Sequence, residues 1–324
     1  MRLVSFTRRG APETALGALL DGELADLSAA ASVLAPGLDP GGRLRSLEAL
    51  LSDWENGLPA ARSVLERVRT APADARRALA ASGGLLPAAA VDLRPPIARP
   101  PTIRDFYAFE AHVKNARARR GLPVPAEWYE LPVFYFSNPG SLVGHGAGVR
   151  KPAWTEALDF ELELACVIGR RARDVAPEDW RSVVAGFTIL NDWSARDVQR
   201  REMAVGLGPA KGKDFATSLG PALVTLDELE PHRRGDRYDL AMEARVGDAT
   251  LSRGNARDMH YGWGALIARA SQDVYLLPGD VLGSGTVGGG CLLELGTEVH
   301  PWLQPGDEVT LEIELLGALS NTIL

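Results

Sequence analysis

The chain has 324 residues, of which 46% are hydrophobic and 24% are charged, and its formal net charge is −7. These proportions are those of a globular protein and exclude a disordered or fibrous chain. The basic residues are scattered, so the charge pattern gives no indication of binding to nucleic acid or to an anionic membrane, and the expected partner is a small molecule.

Residues 1–93 are predicted to form a small N-terminal α+β domain. The stretches "LVSFT" and "ALGALLDGELADL" are typical of short strands, and Asp21-Gly22 in the second suits a two-residue hairpin turn. "RLRSLEALLSDWEN" and "ARSVLERVRTAPADARRALAA" repeat apolar residues at helical spacing, and Pro72 interrupts the second pattern. The proline-rich segment "LRPPIARPPTIRD" cannot continue a helix or a central strand, so it predicts a domain boundary near Leu93.

Residues 94–324 are predicted to form a second domain that is mainly β. Its strand-like runs are "VFYF", "DFELELACVIG", "VAGFTIL", "GPALVTL", "LAMEARVG", "DVLGSGTVG", "CLLELG" and "EVTLEIELLG". Strands and helices do not alternate as in a doubly wound fold. This order favours a large mixed sheet or a rolled barrel with few helices.

The run "DFELELACVIG" places two carboxylates in a stretch that otherwise reads as a buried strand. Glu161 and Glu163 share one strand face, and that face becomes apolar further along. If the face is covered, the two charges need a cation or protons. The alternative is an ordinary strand with its glutamates in water. "VTLEIELLG" repeats the pattern at Glu312 and Glu314 without nearby candidate groups, so it serves as an internal comparison.

The segment "GFTILNDWSARDVQRREM" supplies a third carboxylate. A strand is predicted to end near Asn191, where Asn191 or Asp192 would cap a helix that carries Asp192, Arg196 and Gln199 on one face. A capped surface helix with an ion pair is the alternative. A carboxylate at a sheet end could also join the two glutamates around one hard cation. Oxygen ligands without cysteine or histidine suit Mg²⁺, Mn²⁺ or Ca²⁺ better than Zn²⁺.

The segment "IRDFYAFEAHVKNARARRG" concentrates ionisable residues just after the prolines. Asp105, Tyr107, Glu110 and His112 precede a basic stretch that ends at Arg120. A lone histidine is more often structural than catalytic, but this one lies among other ionisable groups in a predicted loop-to-helix segment, which makes it a candidate base.

The segment "GSGTVGGG" contains the literal dinucleotide pattern Gly283-x-Gly285-x-x-Gly288. We reject that interpretation because no helix is predicted to follow and no strand-helix-strand unit surrounds it. A turn that brings backbone amides and Thr286 toward a carboxylate explains the glycines better.

The two cysteines, Cys166 and Cys291, lie in apolar runs without metal-ligand spacing, so we expect buried free thiols rather than a disulfide or a zinc site. No run of about 18 apolar residues is present. The N-terminus "MRLVSFTRRG" also has no long apolar segment with a cleavage site, so the expected location is the cytoplasm.

Several motifs together resemble the fumarylacetoacetate hydrolase family. They are "RDFYAFEAH", "LPVFYF", "DFELELA", "LNDWSARDVQ", "GKDFATSLGP", "GSGT" and "LLELG", and they occur in the family's order between Arg104 and Gly296. The resemblance implies a mixed, mainly β fold, with a β-roll catalytic domain behind a small α+β domain. It also implies a homodimer and cleavage of a carbon–carbon bond in a β-diketo acid that resembles fumarylacetoacetate or an acylpyruvate.

The resemblance also implies roles for individual residues. The implied metal ligands are Asp105, Glu161, Glu163 and Asp192. The implied catalytic residues are His112 as base, Glu294 orienting it, and Arg196, Gln199 and Lys213 as oxyanion donors. The implied substrate contacts are Tyr107, Tyr135, Arg120, Gly285 and Thr286. Mg²⁺ is the expected cation, with Mn²⁺ or Ca²⁺ as alternatives.

The residue types suit that chemistry, because a divalent cation stabilises a leaving enolate and a histidine can activate water. Two positions depart from close relatives: Met203 replaces a tyrosine, with one extra residue before Lys213, and the basic lid residue falls one place early, at Arg120. The same family includes decarboxylases, isomerases and hydratases of oxo-acids, which remain alternatives. A catalytically silent metal-binding or ligand-binding module is a further alternative.

Overall fold

A computed structural model describes residues 1–324, and the chain has the predicted mixed fold built around large sheets. The strands are β1 (Arg2–Arg8), β2 (Thr14–Leu19), β3 (Glu23–Asp26), β4 (Leu85–Pro87), β5 (Val91–Arg94), β6 (Ile103–Phe106), β7 (Phe134–Ser137), β8 (Leu142–Val143), β9 (Gly148–Val149), β10 (Leu158–Asp159), β11 (Leu162–Ile168), β12 (Val184–Asp192), β13 (Ser194–Ala195), β14 (Thr217–Thr225), β15 (Arg233–Arg234), β16 (Arg237–Tyr238), β17 (Ala241–Val246), β18 (Ala249–Asn255), β19 (Val281–Gly283), β20 (Glu308–Ile313) and β21 (Gly317–Ile323). The α-helices are α1 (Leu27–Leu34), α2 (Leu47–Ser52), α3 (Trp54–Arg69), α4 (Ala73–Ala81), α5 (Glu110–Ala118), α6 (Arg196–Val205), α7 (Leu226–Leu229), α8 (Trp263–Ser271) and α9 (Leu292–Leu295).

A 12-stranded mixed sheet runs in the order β4-β3-β2-β1-β14-β12-β11-β19-β6-β7, with β5 added to β1 and β8 to β14. A second, five-stranded sheet has the order β18-β17-β20-β21-β9. The pairs β19–β6 and β14–β8 are parallel, whereas the long central strands pair antiparallel. No helix is long and apolar enough to cross a membrane.

The large sheet separates two hydrophobic clusters. One face packs on α1 to α4 in a cluster of 28 buried residues, and the other packs on the five-stranded sheet and α8 in a cluster of 46. Each fully buried leucine in such a cluster contributes about 1.5–3 kcal/mol through apolar area removed from water. Both faces of the central strands are therefore covered.

Strand β11 shows why two glutamates could be predicted to lie on a covered face. Ala165 and Val167, on the glutamate face, belong to the cluster beneath α1 to α4. Leu164 and Cys166, on the other face, belong to the larger cluster. The period of two in the sequence thus assigned each side chain correctly. The comparison strand β20 differs, because Glu312 is exposed and Glu314 lies just after the strand, also exposed.

Three local predictions were wrong. Helix α6 begins at Arg196 with Ala195 as its N-cap, because Asp192 pairs with Thr217 as the last residue of β12. "CLLELG" forms the short helix α9 instead of a strand. "RLRSLEALLSDWEN" divides into a 3₁₀ turn, α2 and the start of α3, since Ser46 caps α2 through the Ala49 amide. The hairpin between β2 and β3 and the helix break at Pro72 agree with prediction.

The predicted division near Leu93 stays a prediction. Leu93 lies in β5, which pairs with β1, and β1 in turn pairs with β14 of the predicted C-terminal domain. The N-terminal segment therefore shares a sheet with the region that holds the candidate site.

Candidate active site

Five adjacent strands of the large sheet, in the order β12-β11-β19-β6-β7, deliver the candidate site residues to one end of the sheet. Asp192 ends β12, Glu161 immediately precedes β11, Glu163 lies at its start, and Asp105 lies in β6. All four are at least nine-tenths buried, and their carboxylate ligand atoms lie within 4.8 Å of one another. Residues that are far apart in sequence thus form one acidic cluster, with the membership predicted for the metal ligands.

The turn after β19 makes room for this cluster and supplies donors to it. Gly283 pairs with Asp105, and a Cβ at Gly283 would lie 2.4 Å from Asp105 Oδ1 and 2.9 Å from Glu163 Oε2, so only glycine leaves space for the carboxylates. The Gly285 amide donates to Asp105 Oδ1 at 3.3 Å and to Glu163 Oε2 at 3.2 Å. The Thr286 hydroxyl donates to Glu163 Oε1 at 3.5 Å. The glycine-rich turn therefore faces carboxylates, as predicted.

Two buried cations balance part of the acidic charge. Lys213 Nζ donates to Glu161 Oε2 at 2.7 Å and also to Asp192 Oδ2. Arg196 forms an ion pair with Glu161 Oε1 at 2.7 Å and donates from Nε to Asp159 Oδ2 at 2.7 Å. Both cations were predicted to be oxyanion donors. In the structure both are engaged by carboxylates, so their observed contacts are those of charge balance.

The pKa values of the carboxyl groups differ because their surroundings differ. Burial, followed by the charges of Asp105 and Glu161, raises the pKa of Glu163 well above its ordinary value. Burial also raises the pKa of Asp105, and it raises that of Asp192 to about 8 although Lys213 opposes the change. Burial would raise the pKa of Glu161 too, but the nearby Lys213 and Arg196 outweigh it and lower that pKa.

The cluster fits a divalent cation. The side chains offer only carboxylate oxygens, the ligands that Mg²⁺, Mn²⁺ and Ca²⁺ prefer. Asp192 Oδ1 is buried and has no hydrogen-bond partner, although buried carboxylate oxygens are almost always paired. A cation would satisfy this atom and replace the protons that burial otherwise places on Glu163 and Asp192.

Two tyrosines flank the cluster. The Tyr135 hydroxyl donates to Asp192 Oδ2 and, at 3.2 Å, to Asp105 Oδ2, so it is tied to two of the candidate ligands. The Tyr107 ring packs edge-on against the His112 ring with 5.1 Å between centroids. Burial, with smaller contributions from Glu161 and Glu294, raises the pKa of Tyr107 to about 12. Tyr107 therefore keeps its proton and can act only as a neutral hydroxyl.

His112 and Glu294 form a buried dyad. His112 Nδ1 lies 2.5 Å from Glu294 Oε1, and Glu294 Oε2 accepts hydrogen bonds from Asn115 Nδ2 at 2.9 Å and from the Gly289 amide at 2.8 Å. Burial would raise the pKa of Glu294, but the His112 contact and these donors lower it overall. An ionised Glu294 fixes the ring orientation and the Nδ1–H tautomer of His112, leaving Nε2 as its base.

Cys291 also lies near this dyad, and the three side chains could geometrically hold an ion. The Cys291 thiol contacts Glu294 Oε1 at 3.6 Å, and burial raises its pKa well above the ordinary value. A protonated thiol is a poor ligand for zinc, which binds thiolate. Both cysteines are free and buried, as predicted.

One cavity of about 490 Å³ is lined by all the predicted site residues except Asp192 and Glu294. These two contact residues that line it, namely Lys213 and His112. Gln199 Oε1 accepts a hydrogen bond from Arg196 Nη1 at 2.9 Å, so the Gln199 amide nitrogen is the donor left for a ligand. Arg120 is exposed on the cavity wall, as is Arg200, which was not predicted. Glu110 lies outside the cavity and pairs with Lys114.

Sequence reasoning missed Asp159 and Asn115, which support the predicted residues. Asp159 is fully buried, and its carboxylate accepts from Arg196 and from the Leu292 and Leu293 amides at 2.8 and 3.0 Å. The sequence signal for Asp159 was its position two residues before Glu161. Asn115 follows His112 by three residues, a helical spacing that places both side chains against Glu294.

The sequence also matches known proteins. The family model described as "Fumarylacetoacetate (FAA) hydrolase C-terminal" matches residues 102–324. The chain is 34% identical over 265 residues to oxaloacetate tautomerase Fahd2a, mitochondrial, of Rattus norvegicus, covering 80% of this chain and 78% of the rat protein. It is 32% identical over 329 residues to oxaloacetate tautomerase fahd2, mitochondrial, of Xenopus laevis, covering 100% of this chain and 90% of that protein.

Among solved structures, maleylpyruvate hydrolase of Sphingobium sp. SYK-6 in complex with manganese(II) ion and pyruvate is similar with a TM-score of 0.67 and 26% identity. The alignment covers 100% of this chain and 99% of that one, so the likeness includes the N-terminal segment as well as the sheet end that carries the acidic cluster. These relatives are enzymes with different named reactions. The chain belongs to the fumarylacetoacetate hydrolase family.

Proposed function

We propose that the chain is a divalent-metal-dependent enzyme that moves a proton on an enolisable oxo-acid. One observation carries the proposal: the His112–Glu294 dyad and the acidic cluster of Asp105, Glu161 and Glu163 line or adjoin the same cavity. A proton acceptor and a cation site that face one space are what enolisation of a carbonyl compound needs. Mg²⁺ is the proposed cation, and Mn²⁺ is the alternative favoured by the Sphingobium complex.

Asp105, Glu161, Glu163 and Asp192 would hold the cation, which when bound supplies positive charge that stabilises an enol or enolate oxygen. The protein's own groups do the rest. His112 Nε2 takes up and returns the proton, while Glu294 keeps the ring oriented. The Gln199 amide and the Thr286 hydroxyl line the cavity and would orient a substrate carboxylate or carbonyl.

Arg120 and Arg200 support a dicarboxylic substrate. Both guanidinium groups line the cavity, and neither pairs with a carboxylate of this chain. A second carboxylate of the substrate would supply the missing partner, because arginine pairs with carboxylates in a two-pronged geometry. The preferred substrate class is therefore a 2-oxo dicarboxylic acid, and keto–enol tautomerisation is the preferred reaction, since the two relatives named above are oxaloacetate tautomerases.

Hydrolysis of a carbon–carbon bond in a β-diketo acid is the second candidate. The His112–Glu294 dyad would activate water, and the Sphingobium neighbour is named as a hydrolase. The engagement of Arg196 and Lys213 by carboxylates makes them less available as oxyanion donors, which is why we place this reaction second. A cytoplasmic location and a homodimer stay predictions. The two relatives named above are described as mitochondrial, and light scattering would measure the mass in solution.

A substrate panel tests the proposal. Purified protein depleted of metal and then given Mg²⁺ or Mn²⁺ would be assayed with oxaloacetate enol, acylpyruvates, maleylpyruvate and fumarylacetoacetate, with products identified by mass spectrometry. An unchanged carbon skeleton with accelerated ketonisation supports tautomerisation, whereas two smaller acids support hydrolysis. The absence of any metal-dependent turnover across the panel would contradict both.

A further inference from the structure

The carboxylate of Glu202, on the exposed side of α6, binds three consecutive backbone amides. Its Oε2 accepts from the Ala210 amide at 3.0 Å and from the Gly212 amide at 3.1 Å, and its Oε1 accepts from the Lys211 amide at 2.7 Å. Burial opposes ionisation, but these three donors lower the pKa of Glu202 overall. The carboxylate therefore stays charged and makes strong, charge-assisted hydrogen bonds.

The segment that Glu202 binds is packed tightly against α6 and β13. A Cβ at Gly212 would lie 2.9 Å from the Gln199 backbone nitrogen, so residue 212 must be a glycine for this approach. The Gly212 carbonyl accepts from the Ala195 amide at 2.7 Å. The next residue is Lys213, whose side chain turns inward and is only 4% exposed. The backbone on which Lys213 depends is thus fixed immediately before it.

The rest of the connection has no comparable support. Val205 and Leu207 are 82% and 90% exposed, and the Met203 and Leu207 side chains line the cavity mouth. The short segment 206–209 between α6 and Ala210 begins with two exposed residues, Gly206 and Leu207, so its motion would reach Lys213 unless residues 210–212 are held in place. Glu202 sits at that junction, because its three hydrogen bonds hold residues 210–212 to the helix that also carries Arg196 and Gln199.

We propose that Glu202 is a positioning residue for Lys213: by clamping the amides of residues 210–212 to α6, it holds the Lys213 ammonium between Glu161 and Asp192. Helix α6 then positions three groups of the cavity: Arg196 and Gln199 directly, and Lys213 through the hydrogen bonds of Glu202. The catalytic consequence rests on the proposed function, whereas the structural consequence does not.

The test compares Glu202→Gln, which keeps the side-chain length but removes the charge, with wild type. Hydrogen exchange should be about ten- to a hundredfold faster at the amides of residues 210–212, since charged acceptors limit local opening. Acetylation of Lys213 by an amine-reactive ester should also become faster, with the exposed Lys114, which lies outside this segment, as an internal reference. Asp214→Asn is the matched control, because it removes only the exposed Lys211–Asp214 pair of the same turn. It should change neither measurement.

With the best substrate, Glu202→Gln should lower kcat by about ten- to a hundredfold with KM within about threefold. Displacing the Lys213 ammonium removes positive charge from between Glu161 and Asp192, two of the proposed metal ligands. In a Lys213→Ala background the same substitution should have no further effect on kcat, since it acts through the lysine. Glu202→Asp, which keeps the charge but shortens the reach, provides a second variant should the glutamine variant fold poorly.

Unchanged exchange at residues 210–212, or an equal loss of kcat with and without Lys213, would overturn the proposal. The exchange and acetylation measurements need no substrate. A wild-type protein that turned over no oxo-acid would therefore contradict the proposed function while leaving the positioning role to be judged by these two results.

Discussion

Glu161, just before β11, and Glu163, within it, lie two residues apart, yet their carboxylates have opposite partners. Glu161 contacts the cations of Lys213 and Arg196, whereas Glu163 has no cationic partner: it accepts from the Gly285 amide and the Thr286 hydroxyl and contacts the Asp105 carboxyl. Burial and like charges accordingly raise the pKa of Glu163, and the two cations lower that of Glu161. The positive charge that Glu163 lacks is the charge a divalent cation would bring.

Glu163→Gln should therefore weaken metal binding strongly while changing the stability of the metal-free protein little. The amide resembles the protonated carboxyl that burial favours, so the melting temperature without metal should fall by no more than about 1.5 °C, the shift that about 1 kcal/mol produces in a chain of this length. The Kd for Mg²⁺ or Mn²⁺, measured by calorimetry, should rise at least about a hundredfold because a charged ligand is lost.

Glu314→Gln is the control for this variant, since Glu314 is an exposed carboxylate just beyond the comparison strand β20. It should leave the Kd unchanged. Equal metal affinity in wild type and both variants would place the cation elsewhere or exclude it.

The stabilisation by metal should grow with pH. Asp192, with a pKa near 8, and Glu163 both have folded-state pKa values above the unfolded value of about 4. Their protonation therefore stabilises the metal-free fold fully below that unfolded value, and this contribution is lost as the pH rises through the folded-state pKa. The lowered pKa of Glu161 changes the stability only at pH values below the unfolded-state pKa, so it does not contribute to the pH dependence above that value.

The measurement is thermal unfolding with and without saturating Mg²⁺, at about pH 5.5 and at about pH 8.5. These two pH values lie on either side of most of this titration. The increase in melting temperature on adding metal should be larger at the higher pH, because the cation no longer competes with protons. A metal-induced increase that is equal at both pH values would mean that these carboxylates are not its ligands.

Much of the site was predictable because its signals are local. The alternation of side chains in β11 identified Glu161 and Glu163, and the glycines of the 283–286 turn indicated close backbone approach. The errors have non-local causes. "CLLELG" is equally compatible with a strand or a helix, and it becomes α9 with its first amides bound by Asp159, 133 residues earlier in sequence. No local pattern could show that contact.

The start of α6 was mispredicted for a related reason. Asp192 is a good helix N-cap residue by type, but pairing of β12 with β14 extends the strand through it. The same pairing carries the Asp192 carboxylate into the acidic cluster instead of to a helix end. Tertiary pairing therefore overrode a capping preference worth only about 1 kcal/mol.

Arg120→Ala should weaken binding of dicarboxylic substrates selectively. Its guanidinium has no carboxylate partner in the chain, so a substrate carboxylate would lose a charge-assisted contact and KM should rise about tenfold. KM for an oxo-acid with a single carboxylate should change little. Arg201→Ala removes an exposed arginine on α6 that does not line the cavity, and it should leave KM unchanged for both substrate types. Parallel increases in KM for both substrate types would argue against a distal carboxylate subsite.

The last prediction concerns the dyad. If His112 moves the proton, His112→Ala should lower kcat by roughly a hundredfold to ten-thousandfold, the usual contribution of a general base. Its metal affinity should stay close to wild type, because His112 contacts Glu294 rather than the acidic cluster. His300→Ala, which removes a histidine whose ring nitrogen contacts only the neighbouring Pro301 carbonyl, is the matched control and should keep full activity.

Glu294→Gln should act in the same direction, because a neutral amide no longer stabilises the imidazolium that forms when His112 accepts the proton. The double variant should be little worse than His112→Ala alone, since residues that work as one unit are not additive. The measurement is kcat for the single and double variants, with metal content determined in each. A His112→Ala enzyme within about threefold of wild type, far below the effect of losing a base, would assign the proton transfer to another group. Tyr107, which packs on the His112 ring and keeps its proton, would then be the next residue to substitute.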